Sequence, residues 1–141
     1  MVSLKKLGWE NYTNQVIEGP LSDDIGRVRR VDRGEVDVLT STGEIRALSD
    51  SQRAKSITAP VTGDWVKVAK DPEQGYVVES VLPRYSKIVR RDPAEIERPQ
   101  VLATNVDAVA IVLSADRPIN LARIERLLVV AATGDAKAVL I

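Results

Sequence analysis

Clustered cations are the residues of this chain best placed to do chemistry. Arg27, Arg29, Arg30 and Arg33 fall in one short stretch, and Arg84, Lys87, Arg90 and Arg91 form a second. Such groups can neutralise the phosphates of a nucleic acid, although charge runs are more often solvated faces. Trp65 stands beside Lys67, and its alternation with Val66 and Val68 directs the indole away from the core. An exposed ring near cations can stack on a base for about 1–3 kcal/mol; packing against the N-terminal segment or a neighbouring domain is the alternative. The chain has only five aromatic residues, Trp9, Tyr12, Trp65, Tyr76 and Tyr85, too few for a continuous stacking platform. Contacts from arginine to phosphates are therefore the better basis for RNA binding. The candidate nucleic-acid contacts are Arg29, Arg30, Arg33, Trp65, Lys67, Arg84, Lys87, Arg90 and Arg91.

Other chemistries find little support. Without cysteine or histidine there is no thiol nucleophile, no disulfide, and neither the commonest general base nor the commonest metal ligand. Asn105, Asp107 and Asp116 flank an apolar strand, where such residues usually serve as caps and turns. Asp23-Asp24-Ile25-Gly26 fits the D-x-x-G pattern that senses a γ-phosphate, but two fixed residues recur by chance and these precede a strand. The phosphate-cradling pattern G-x-x-x-x-G-K-[ST] is absent. No catalytic, nucleotide-binding or metal-binding residue is assigned within this chain.

The elements that would carry the cations are short strands separated by turn residues. Gly26 to Asp32 is the first, and the odd spacing of Val28 and Val31 calls for a bulge if both are buried. Val36, Val38 and Thr40 alternate with Glu35, Asp37 and Leu39; Ile45 and Ala47 alternate with Glu44, Arg46 and Leu48. Ser41-Thr42-Gly43 joins these two strands as a hairpin. A long polar connection runs from Ser49 to Ala59. A fourth strand follows around Val66 and Val68, and the turn Asp71 to Gly75 leads into a fifth, Tyr76 to Leu82. Five strands with the long connection after the third match an OB-fold barrel, with an SH3-like barrel as the nearest rival.

The segment 85–99 is charged, contains Pro93 and Pro99, and reads as a linker. From 100 to 141 the pattern changes. Val109 to Leu113 is a continuous apolar run suited to a strand buried on both faces, Asn120 is a helix N-cap, and Gly134 is a C-terminal stop. Ala138 to Ile141 begins a second such strand, so this region reads as a βαβ unit opening an α/β domain. The organisation expected is thus an N-terminal segment 1–20, a barrel 21–84, the linker, and an incomplete α/β domain. One helix covers one face of a sheet, so this last part is expected to self-associate or to stay poorly ordered.

Length and composition narrow the class further. The 141 residues suit one small domain plus part of another. No apolar stretch approaches the roughly 18 residues of a membrane span, and the N-terminus lacks a signal-peptide core; the expectation is a cytoplasmic protein with no membrane partner. Net charge is zero overall. From Leu21 to Arg91 there are 13 basic and 11 acidic residues, too small an excess to imply a polyanion partner by itself.

Five segments in order carry a family resemblance. They are Gly26 to Gly34 (GRVRRVDRG), Pro60 to Val66 (PVTGDWV), Leu82 to Ser86 (LPRYS), Gln100 to Asp107 (QVLATNVD) and Leu121 to Leu128 (LARIERLL). Each is modest alone, but the ordered set is specific. It resembles the ribosome small-subunit-dependent GTPase family (RsgA, also called YjeQ). The resemblance implies an OB-fold followed by a circularly permuted GTPase domain and a zinc-binding domain. It also implies action on the 30S ribosomal subunit with 16S rRNA as partner, and GTP, magnesium and structural zinc as the cofactors of the complete protein. Permutation would place the guanine-reading N-K-x-D element beyond Ile141, so this chain by itself is expected to be inactive as a GTP hydrolase. The connection 49–59 is less basic than the resemblance implies. The rival reading is a free-standing OB module binding nucleic acid or protein without enzymatic activity.

Overall fold

In the computed structural model, which describes residues 3–16, 22–49, 58–90 and 100–141, the chain divides into two compact units, Met1–Tyr85 and Ser86–Ile141. The first opens with a 3-10 turn, Leu4–Leu7, and helix α1, Trp9–Gln15. Five strands follow: β1 Ile25–Asp32, β2 Glu35–Thr40, β3 Gly43–Leu48, β4 Trp65–Asp71 and β5 Gly75–Val81. They close into a barrel of order β1-β2-β3-β5-β4. Every pairing is antiparallel except β3 with β5. This order is that of the OB-fold, and it decides against the SH3-like rival.

Alternation builds the core. Val36, Val38 and Thr40 of β2 are buried, and with Val28, Ala47, Val66, Val68 and Val78 the two valines fill the barrel. The bulge in β1 is present: the register slips between Val28 and Arg30. It lets Val28 sit inside while Val31, opposite Val36, reaches the barrel's end at 41% exposure. Gly26 is required by contact. A Cβ there would lie 2.4 Å from Val38 Cγ1 and 2.9 Å from the Leu39 carbonyl oxygen. The glycine of the D-x-x-G pattern is thus a packing residue of β1. Most of the connection expected over 49–59 lies outside the described residues.

The second unit corrects one expectation. The sequence of 85–99 reads as a linker, but Lys87–Arg90 forms strand β6, paired antiparallel with β7, Gln100–Thr104, while 91–99 lie outside the described residues. The signal was weak because a four-residue strand with one buried side chain, Ile88, shows no period. The βαβ unit is as expected. Strand β8, Ala108–Ile111, and β9, Lys137–Leu140, pair in parallel around helix α2, Leu121–Ala132. Asn120 caps that helix, its Oδ1 accepting from the Arg123 amide at 3.0 Å.

One detail agrees with the single helix and one differs. Of β8 only Ile111 is buried, and Val112 just beyond it is 74% exposed, so this run is not covered on both faces. Gly134 does not take the left-handed conformation of a helix stop; Asp135 does, at φ 55°. Gly134 instead lets the end of α2 approach β6, where a Cβ would fall 2.7 Å from Ile88 Cδ1 and 2.8 Å from the Lys87 carbonyl oxygen.

Candidate nucleic-acid interface

The hairpin β2–β3 sets the electrostatics of the barrel's outer surface. Its register places Arg46 opposite Asp37, and Arg46 reaches three carboxylates, Asp32 at 3.0 Å, Glu35 at 2.6 Å and Asp37 at 2.9 Å. The Glu35 and Asp32 hydrogen bonds push the Arg46 guanidinium further up from its already high pKa. In return, Arg46 and then Arg30 hold Asp32 below the usual carboxylate range. Arg29, the residue skipped at the bulge, donates from Nη1 to both oxygens of Glu44, at 2.9 and 2.8 Å. Arg30 pairs with Asp32 at 3.1 Å. On β4, Lys67 pairs with Glu79 at 2.9 Å and lies 3.6 Å from Asp24; Glu79 is the main cause of its raised pKa.

The candidate cations therefore fall into distinct groups. Arg29, Arg30 and Lys67 are exposed but already paired. Arg33, in the β1–β2 turn, is exposed and has no ionic partner among the described residues, and Lys70 of β4 shares that condition. Lys87 and Arg90 are exposed on β6, likewise without an ion pair among the described residues, while Arg91 lies outside those residues. Exposed ion pairs contribute about 0–1 kcal/mol, so a phosphate can displace Glu44 from Arg29 or Asp32 from Arg30 at small cost.

Two candidates are corrected. Arg84 keeps only 14% of its side chain exposed and closes on Asp64, itself fully buried, with Nε–Oδ1 2.7 Å and Nη2–Oδ2 2.6 Å. It also donates to the Ala59 carbonyl at 3.1 Å. That guanidinium is committed to the fold. Trp65 is 1% exposed and cannot stack on a base. Alternation put it on the outer face of β4, but the N-terminal segment covers that face: Trp9 meets it edge-on at 4.8 Å and Tyr12 at 5.7 Å. The Arg27 guanidinium lies 5.5 Å from its ring centre. Packing against the N-terminal segment was the other placement the sequence allowed.

The remaining polar residues act within the fold. Asp23 accepts from Ser41 at 3.2 Å, and the Asp24 carbonyl accepts from the Val68 amide at 2.8 Å. The Ser22 hydroxyl donates to the Asp24 carboxylate and is the first cause of that group's lowered pKa. Asn105, buried at φ 54°, donates from its amide to the Ser86 carbonyl, while Ser86 Oγ bridges the amide and carbonyl of Val106. The Asp107 carbonyl accepts from Lys137, and Asp116 accepts from Ser114. Among the described residues no group of three or more His, Cys, Asp or Glu could hold a metal ion. No helix among them is long and apolar enough to cross a membrane.

Sequence reasoning missed Asp64 and Arg46 as organising residues. The Arg46 signal depended on turn length: the structure pairs Thr40 with Gly43, a two-residue turn that sets Asp37 opposite Arg46, whereas a three-residue turn through Gly43 sets it opposite Ala47. Asp64 gave no such signal, since its partner is 20 residues away.

Residues 81–141 match the RsgA GTPase family. The chain is 33% identical to the small ribosomal subunit biogenesis GTPase RsgA of Opitutus terrae over 99% of its own length and 42% of that protein's. It is 36% identical to the protein of the same name from Streptomyces coelicolor, over 92% of this chain and 36% of that one. It thus spans about two fifths of the length of these relatives. Among solved structures it is similar to YloQ, described as a circularly permuted GTPase, with a TM-score of 0.58 and 21% identity across 82% of this chain and 39% of that one. The likeness runs through the barrel and the βαβ unit in one order, and the chain belongs to the RsgA family of GTPases.

Proposed function

We propose that this chain is the N-terminal part of a ribosome-biogenesis GTPase and that its OB barrel binds the 30S subunit through 16S rRNA. The observation that carries this reading is the 33% identity to a small ribosomal subunit biogenesis GTPase along 99% of the chain, joined to a barrel of OB type. In the complete protein GTP would be hydrolysed during small-subunit maturation, in the cytoplasm. GTP, magnesium and a structural zinc would be held by residues this chain does not contain, since it encodes no phosphate loop.

Within the chain, Arg33 is the first contact, being exposed and unpaired among the described residues. Arg29, Arg30 and Lys67 follow on the barrel by exchanging carboxylate for phosphate, and Lys87 and Arg90 of the second unit, with Arg91 beside them in sequence, are further candidate phosphate contacts. Trp65 and Arg84 support the fold.

Filter binding of the chain to 30S subunits and to 16S rRNA tests this. Affinity should fall with salt at a log–log slope of about −0.7 to −0.9 per phosphate neutralised. Arg33→Glu should weaken binding most and Arg29→Glu with Arg30→Glu next. Salt-independent binding, or none to either target, defeats the proposal. Calorimetry with GTP and magnesium should be flat for this chain, and micromolar binding would show that the nucleotide site has been misplaced.

A further inference from the structure

Four consecutive residues leaving the barrel are each held in place. The Leu82 amide donates to the Trp65 carbonyl at 2.8 Å, and the Tyr12 hydroxyl donates to the Pro83 carbonyl at 2.8 Å. Arg84 is gripped by Asp64, and the Tyr85 ring lies 6.3 Å from that of Tyr12. Tyr12 thus supplies two of the four holds. It also covers Trp65, the source of a third.

The group making these contacts sits on a segment that has little means of staying folded by itself. Helix α1 has 7 residues, well below the roughly 12–15 at which an isolated helix becomes even marginal in water. Its order comes from Leu4, Trp9 and Tyr12, buried against Ile25 and Trp65, while Lys5, Lys6, Glu10 and Asn11 stay exposed. Arg27 adds a tie, donating from Nη1 to the Leu7 carbonyl and from Nε to the Gly63 carbonyl at 3.3 Å. Docking and helix formation are therefore one event, which is the property of a two-state clip.

We propose that the N-terminal segment, residues 3–16, is a clamp on the chain's exit from the barrel, fixing 82–85 through Tyr12 only while it is docked. The barrel itself is closed by strand pairing and has its own valine core. Release of the clamp accordingly removes two of the four holds and loosens the exit without opening the barrel.

The test is limited trypsin digestion of the full 141-residue chain, with cleavage after Arg84 and after Lys70 of β4 quantified by mass spectrometry. Tryptophan emission serves as the docking signal, because both tryptophans, Trp9 and Trp65, lie in the docked cluster. Under conditions where opening is fast, cleavage tracks the population of the open form. Tyr12→Phe removes only the hydroxyl bond and should raise cleavage at Arg84 about fivefold, with emission unchanged. Tyr12→Ala should shift emission to the red and raise cleavage at Arg84 by about tenfold or more, leaving Lys70 as it was. Unchanged cleavage at Arg84 in Tyr12→Ala overturns the proposal, because the Asp64 pair alone then holds the exit. An equal rise at Lys70 overturns it as well, since the segment would then be part of the barrel's core.

Discussion

The guanidinium of Arg84 meets the carboxylate of Asp64 in a two-point contact, 2.7 Å from Nε to Oδ1 and 2.6 Å from Nη2 to Oδ2, with the aspartate at 0% exposure. Asp64 Oδ2 also accepts the Val61 amide at 2.8 Å. The pair joins the turn before β4 to the chain leaving β5. A buried ion pair of this kind is costly to halve, because the remaining charge has no water to replace its partner.

Arg84→Ala should therefore destabilise the barrel by about 3–5 kcal/mol. Arg84→Lys should fall between it and the parent, since a lysine keeps the charge but not the planar two-point geometry. Urea denaturation followed by tryptophan emission measures both, and a loss below 1 kcal/mol in Arg84→Ala would show that solvent reaches Asp64.

Gly26→Ala and Gly134→Ala should each destabilise by about 1–3 kcal/mol, by overpacking. Both new methyl groups would meet backbone as well as side chain, the Leu39 carbonyl oxygen at 2.9 Å and the Lys87 carbonyl oxygen at 2.8 Å. Gly34→Ala is the control. It has open space around it but φ of 76°, so its cost is conformational, about 1 kcal/mol. Equal thermal midpoints for Gly26→Ala and the parent would contradict the close approach of β1 to β2.

The Tyr12 phenol is pushed up to about 12, first by burial and then by the nearby Asp64 carboxylate. An acid whose folded pKa lies above its unfolded value of about 10 stabilises the fold fully below pH 10. That contribution is lost as pH rises from 10 through 12. Denaturation midpoints measured across this window should fall for the parent and fall less for Tyr12→Phe. Parallel curves would mean that Tyr12 ionises freely.

The α/β unit carries Val112, Ile119, Leu121, Val129 and Ile141 at 67% exposure or more. Apolar area of that kind recruits a second surface, so the isolated chain is expected to self-associate through it. Light scattering over a concentration series should show mass rising with concentration, and Val129→Lys with Leu121→Lys should suppress the rise. A mass that stays monomeric throughout sinks this expectation.

The sequence by itself determined most of the elements, because that information is local, while the strand order that separates an OB barrel from an SH3-like one came from the tertiary structure. Period-two alternation over Val36, Val38 and Thr40 marks a strand and says which side is core, Ser41-Thr42-Gly43 marks a hairpin turn, and Asn120 ahead of a helical period marks a helix start. A bulge does fall between Val28 and Arg30, but the condition under which the spacing of Val28 and Val31 called for one, burial of both, is not met, since Val31 is exposed. The candidate interface was only partly legible, for a physical reason. Alternation assigns a side chain to a face of a strand but not what lies over that face, so Trp65 was placed outward while the N-terminal segment that buries it stayed invisible. Cation clusters reveal where charge is but not whether a carboxylate from another strand has neutralised it. Arg29 with Glu44, Arg46 with Asp32, and Arg84 with Asp64 are separated by 15, 14 and 20 residues, and the pairing of β1 to β2 to β3 and of β4 to β5 brings them together. Strand β6 escaped for the same reason. Four residues carry too little pattern to be read alone, and its pairing with β7 and the close approach of Gly134 are tertiary facts.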